Sequence, residues 1–127
     1  MDTPLVYKIN PVERHVHVKY QAQPTFDQWE STMQEILHDP QYHAGFGFLL
    51  DRSHIWSPAS TGYIHRLVDF AENHVAQSGG ARWALLVVDF GSLGMARMAE
   101  LLSLSAEIRA FLKFEEAKAW LAATDRN

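Results

Sequence analysis

The 127 residues suffice for one domain with one core, because a chain of this length buries roughly two-thirds of its unfolded surface. Hydrophobic residues at 47% exclude a disordered tail, and 11 basic against 15 acidic residues, a net charge of -4, offer no electrostatic footprint for nucleic acid or anionic lipid. The absence of Cys excludes a disulfide framework, a thiolate nucleophile and any Cys-ligated metal.

Leu5 to Ile9 predicts a short strand, and Asn10-Pro11 supplies turn chemistry. His15 to Tyr20 then alternates with period two, with Val16, Val18 and Tyr20 on one face, so the first two strands read as an antiparallel hairpin. Thr25 to Asp39 changes to a helical period, with Phe26, Trp29, Met33, Ile36 and Leu37 on one stripe. Thr25 and Gln28 form a capping box at its start, and Pro40 stops it.

Phe46 to Leu50 is a continuous apolar run, the pattern of a central strand buried on both faces. Asp51-Arg52-Ser53-His54 breaks it. A second helix begins between Pro58 and Gly62, carries Ile64, Leu67, Val68, Ala71 and Val75 inward, and ends at Gly79-Gly80. Trp83 to Val88 is the next buried strand, closed by Asp89. Gly91 to Gly94 reads as a turn, followed by a third helix from Met95 to Ser105 with Met98, Leu101 and Leu102 inward. Glu107 to Phe111 is the last strand, and Glu115 to Ala123 the last helix, with Ala117, Trp120 and Leu121 toward the core.

The fold class this order predicts is α/β: a single mixed, mostly parallel sheet of about five strands, an N-terminal antiparallel hairpin and four helices. Residues 1–127 form one domain. The longest strongly apolar run, Trp83 to Val88, is far short of the ~20 residues needed to cross a bilayer. Met1 to Asn10 lacks the features of a secretory signal, so the expectation is a cytoplasmic protein.

In open sheets of this kind, ligands and partners are met beyond the carboxyl ends of the strands. That rule selects Asp51, Arg52, Ile55, Trp56, Asp89, Gly91 and Gly94 as rim or pocket residues. Paired Asp51 and Asp89 have the chemistry for acid–base work or a divalent ion, although hydrogen bonds to loop amides or to Arg52 explain them more simply. His15 and His17 share a strand face, but two ligands without a third make a poor metal site, and the polar face of an edge hairpin accounts for both. No metal or other cofactor is expected. Ile55 and Trp56 form an apolar pair at a strand-end loop, suited to a pocket, an interface or a lid.

The tail Glu107-Ile108-Arg109-Ala110-Phe111, with Glu115-Glu116-Ala117-Lys118-Ala119-Trp120-Leu121, resembles the ending of the SpoIIAA-like branch of the STAS superfamily. Phe90-Gly91 with Gly94-Met95-Ala96-Arg97-Met98 resembles a segment of the same branch, which is also grouped with lipid-carrying CRAL-TRIO folds. STAS anti-sigma-factor antagonists dock on a kinase and are switched by phosphorylation in an Asp-Ser-Ser-Gly motif opening a helix. Here those positions fall on Ala59-Ser60-Thr61-Gly62, without the acidic residue. The resemblance implies Thr61 as acceptor, with Ser57, Ser60, Thr61 and Gly62 as the docking loop and Tyr63, His65 and Arg66 on the helix face that meets the partner. Helix capping is the simpler role for these hydroxyls.

The first reading is a non-enzymatic interaction domain that binds a protein partner, a kinase or a second copy. A homodimer through the hairpin's edge fits the same reading. The second is a carrier or sensor of a small apolar ligand or lipid, held near the strand ends.

Overall fold

The computed structural model describes residues 4–123, so the first three residues of the segment read for a secretory signal lie outside it. Strands β1 (Leu5–Asn10) and β2 (His15–Tyr20) form the hairpin. Its turn is built by Asn10, whose Oδ1 accepts from the amides of Val12 and Glu13, and by Arg14, whose φ of 61° brings its amide to the Asn10 carbonyl. Helix α1 (Phe26–Leu37) follows, closed at its start by the reciprocal Thr25–Gln28 capping box.

Then come β3 (Gly47–Asp51), α2 (Thr61–Asn73), a single turn α3 (Val75–Ser78), β4 (Arg82–Leu86), α4 (Phe90–Leu102), β5 (Glu107–Phe111) and α5 (Phe114–Ala122). The sheet order is β1-β2-β3-β4-β5, with β1 antiparallel to β2 and the remaining pairs parallel. The predicted α/β class and mixed sheet are what the chain adopts, with five helical segments in place of four. The extra one arises at His74, where the ring bonds the Phe70 carbonyl and the backbone leaves helical geometry, so α2 ends at Asn73, six residues before Gly79.

Sequential parallel crossovers of one hand leave their helices on one face of the sheet. Accordingly Val16, Val18, Phe48, Leu50, Trp83 and Leu85 pack in one cluster with α1, α2 and α4. Trp29 lies at its centre, 5.2 Å from the Phe70 ring and 6.2 Å from that of Trp83. Helix α5 covers the opposite face, where Leu49, Ala84 and Leu86 meet Ala117 and Leu121. Among the described residues, no helix is long and apolar enough to cross a membrane.

The turn expected at Gly91 to Gly94 is helix. Asp89 caps α4 by accepting the Ser92 amide at 2.7 Å, so the helix starts at Phe90 and both glycines lie in its first two turns. Ser92, Leu93, Ala96 and Ala99 are its buried side. Leu101, expected inward, lies about 140° around the helix from Ala96 and is exposed. His15 and His17 also depart from expectation: β2 is an inner strand, His15 is buried, and His17 bonds Asp51.

Candidate functional site

Because β3 and β4 run parallel, the segments after Asp51 and Leu86 leave the sheet at one edge. The amide of Arg52 donates to the Leu86 carbonyl and that of Val87 to the Phe111 carbonyl, which ties the three strand ends together. The first segment leads to α2, capped by Ser60 through the Tyr63 amide, and the second to α4, capped by Asp89. These helices pack against each other over the strand ends.

Between them lies a cavity of about 20 Å³, room for about one water molecule. Its wall is apolar on the sheet and helix sides, with Ile64, Leu67, Leu85, Val87 and Ala96, and Met95 standing half-buried beside them. Four polar residues complete it: Tyr20 at the end of β2, Arg52 after β3, Tyr63 in the first turn of α2 and Ser92 in the first turn of α4. Arg52, Tyr63 and Ser92 are 7%, 9% and 3% exposed. The Arg52 Nη1 and the Ser92 Oγ have no hydrogen-bond partner, and the Tyr63 hydroxyl meets that of Tyr20. Burial, together with the charge and hydrogen bond of the facing Tyr20, raises the Tyr63 hydroxyl far above its ordinary value. Burial likewise raises Tyr20, against the pull of Arg52, so both stay protonated at neutral pH.

The rim residues read from the sequence therefore divide. Arg52 faces the cavity, its guanidinium 5.2 Å from the Tyr20 ring centre and its Nη2 donating to the Ser57 carbonyl at 3.2 Å. Asp51, one residue earlier, faces the other side of the sheet. There its Oδ2 meets the His17 Nε2 at 2.7 Å while its Oδ1 accepts the Ser53 amide. Asp89 serves as a helix cap, so the two carboxylates have separate tasks. Ile55 and Trp56 are not a pair, for Ile55 is 8% exposed and joins the core whereas Trp56 is 73% exposed. Ser57, Thr61 and Gly62 are exposed on the loop and the start of α2, beside the capping Ser60. Gly91 and Gly94 are exposed on α4 and do not reach the cavity.

Tyr63, read as part of the exposed docking face, is buried. It shares the inner stripe of α2 with Leu67 and Phe70 at i+4 and i+7, which the flanking His65 and Arg66 obscure. Tyr20 and Ser92 were also missed as cavity residues. The signal in Tyr20 was its inward place in β2, and Ser92 was concealed by the turn reading of its glycine neighbours. Among the described residues, no group of three or more metal-ligating side chains gathers.

No family model, curated protein or solved structure matches the chain. The resemblance to the SpoIIAA-like branch accordingly rests on the residues that carry it.

Proposed function

We propose that the chain is a non-enzymatic binding domain that carries or senses a small, mainly apolar molecule at the carboxyl ends of β2, β3 and β4. One observation carries this reading: two buried polar atoms without partners, the Arg52 Nη1 and the Ser92 Oγ, belong to residues that line one apolar-walled cavity between α2 and α4. Each such atom costs the fold roughly 1–3 kcal/mol, and an apolar hollow with a few converging polar groups is the usual make-up of a ligand site. A cavity of this size admits a ligand only if its wall yields. Met95, with a flexible thioether side chain, is the part of the wall suited to do so.

Native mass spectrometry of the purified chain tests the proposal. A small molecule retained by the wild type and lost in Ala96→Phe, which fills the hollow, is the expected result. The proposal falls if both proteins fly as the bare chain and no small molecule in a screen perturbs the Leu67, Leu85 or Met95 methyl resonances.

A second reading, favoured by the exposed Trp56 and by Thr61 at the open start of α2, is docking of a protein partner, a kinase or a second copy. The STAS-like tail supports it. A phosphate on Thr61 would sit on the positive end of α2 and add about two negative charges to that docking face. Partner capture is then expected to weaken on Thr61→Glu and survive Thr61→Ala. Equal capture by both variants removes the switch.

A further inference from the structure

Resting on that reading of the cavity, we infer that its ligand is a short aliphatic carboxylate and that Arg52 recognises the acid group. A guanidinium is always charged, and a buried charge without a counter-ion is among the least favourable arrangements in a protein interior. None of the ion pairs among the described residues includes Arg52. The two acids at the strand ends are both engaged elsewhere: Asp51 with His17 and Ser53 on the far side of the sheet, Asp89 with the Ser92 amide. Its contact with Tyr20 and the bond to the Ser57 carbonyl hold the guanidinium in place and leave Nη1 unpaired.

The other groups around the hollow agree in sign. The Ser92 hydroxyl is unpaired, and the facing Tyr20 and Tyr63 hydroxyls, bonded to each other, keep one hydrogen between them to donate. Tyr63 and Ser92 are each the third residue of a 13-residue helix, so the positive ends of α2 and α4 converge on the same place. One cation, two hydroxyl donors and two positive helix ends select an acceptor-rich anion. The apolar wall of Leu67, Leu85 and Val87 selects an alkyl tail behind it. A phosphate monoester, with about two charges and more oxygens than these donors satisfy, fits the apolar wall poorly. Even a tail of a few carbons exceeds the hollow as it stands, so it is seated only where Met95 gives way.

The test is titration of the methyl-labelled full chain with butyrate, butyramide, butanol and inorganic phosphate at constant ionic strength, read at the Leu67, Leu85 and Met95 methyls. Butyrate is expected to saturate at least about tenfold more tightly than butyramide, the advantage of a charge-assisted pair in a dry site. Arg52→Gln is expected to erase that preference and Arg52→Lys to keep part of it. Should Arg52→Gln fail to fold, Ser92→Ala gives the same reading through a several-fold weaker butyrate response. If butyramide or butanol binds as well as butyrate, the carboxylate inference falls while the apolar-ligand reading stands. Tighter binding of phosphate at the same methyls, or butyrate binding unchanged in Arg52→Gln or Ser92→Ala, also overturns it. If no probe moves these methyls, the inference and the reading beneath it fall together.

Discussion

His17 and Asp51 meet at 2.7 Å diagonally across β2 and β3, for His17 stands opposite Leu49 and Asp51 opposite Lys19 in the parallel register. An ionised carboxylate only accepts, so the imidazole Nε2 carries the proton of this bond. One step of the pleat then sends Arg52 to the opposite face. The acid adjacent in sequence to the buried guanidinium is thereby withheld from it, and the cavity keeps an uncompensated positive charge.

The same pairing predicts an acid limb in stability. Burial opposes ionisation of Asp51, but the bonds from His17 and Ser53 outweigh it and hold the carboxyl at about 2, below its ordinary 3.8. A folded-state value below the unfolded one stabilises the fold above the unfolded value, and the gain disappears as pH falls through the folded one. Asp51→Asn is expected to cost about 1–2 kcal/mol near neutrality, with the gap to wild type closing between about pH 4 and pH 2. Urea denaturation across that range measures it, and a gap independent of pH would disprove the assignment.

Asp89 is a helix cap, and a cap has a characteristic mutational signature. Asp89→Ala is expected to lower stability by about 1 kcal/mol, and Asp89→Ser to recover most of the loss, because either side chain accepts the Ser92 amide. Were Asp89 half of an acid–base or metal pair with Asp51, serine would not substitute for it. Denaturant midpoints of the two variants decide between these roles.

At Gly47, α5 lies close against the sheet. A Cβ added there lies 2.8 Å from the Leu121 Cδ2 and 3.3 Å from the Arg82 carbonyl oxygen. Gly47→Ala is expected to destabilise by about 1–3 kcal/mol, as overpacking does. In the double variant with Leu121→Ala the two costs should fall short of their sum, because the second change removes the side chain the methyl meets. Additive costs would mean that the Arg82 backbone, not Leu121, sets the limit.

Local chemistry made much of the fold legible. The period-two run of β2, the Thr25–Gln28 box of α1 and the apolar run leading into β3 each express a rule acting within a few residues, and each element formed close to its expected bounds. The start of α4 was hidden because Gly91 and Gly94 favour turns by themselves. The Asp89 cap and the burial of Leu93 and Ala96 against the sheet override that preference. Of the cavity's polar lining only Arg52 was legible as a rim residue. Tyr20, Arg52, Tyr63 and Ser92 come from four separate segments, and only the crossover order brings their polar atoms to one point.

Arg82, on the face of β4 that α5 covers, acts as a C-terminal cap for that helix. The last carbonyls of a helix lack partners within it. Here the buried Arg82 Nη1 donates to the carbonyls of Trp120 at 2.6 Å and Ala123 at 3.2 Å, while its guanidinium lies 5.2 Å from the Trp120 ring centre. Its Nε meets Glu107, whose side chain is nearly half exposed, so that pair contributes little. Arg82→Met keeps the apolar stem and removes every donor, and is expected to cost about 2–3 kcal/mol. Glu107→Gln should stay within about 1 kcal/mol of wild type. Amide exchange separates a latch from a general loss of packing: in Arg82→Met the α5 amides should exchange faster while those of β3 keep their protection relative to the lowered global stability. Uniform acceleration across the sheet, or an equal effect of Glu107→Gln, would show that the ion pair and not the helix end is what Arg82 serves.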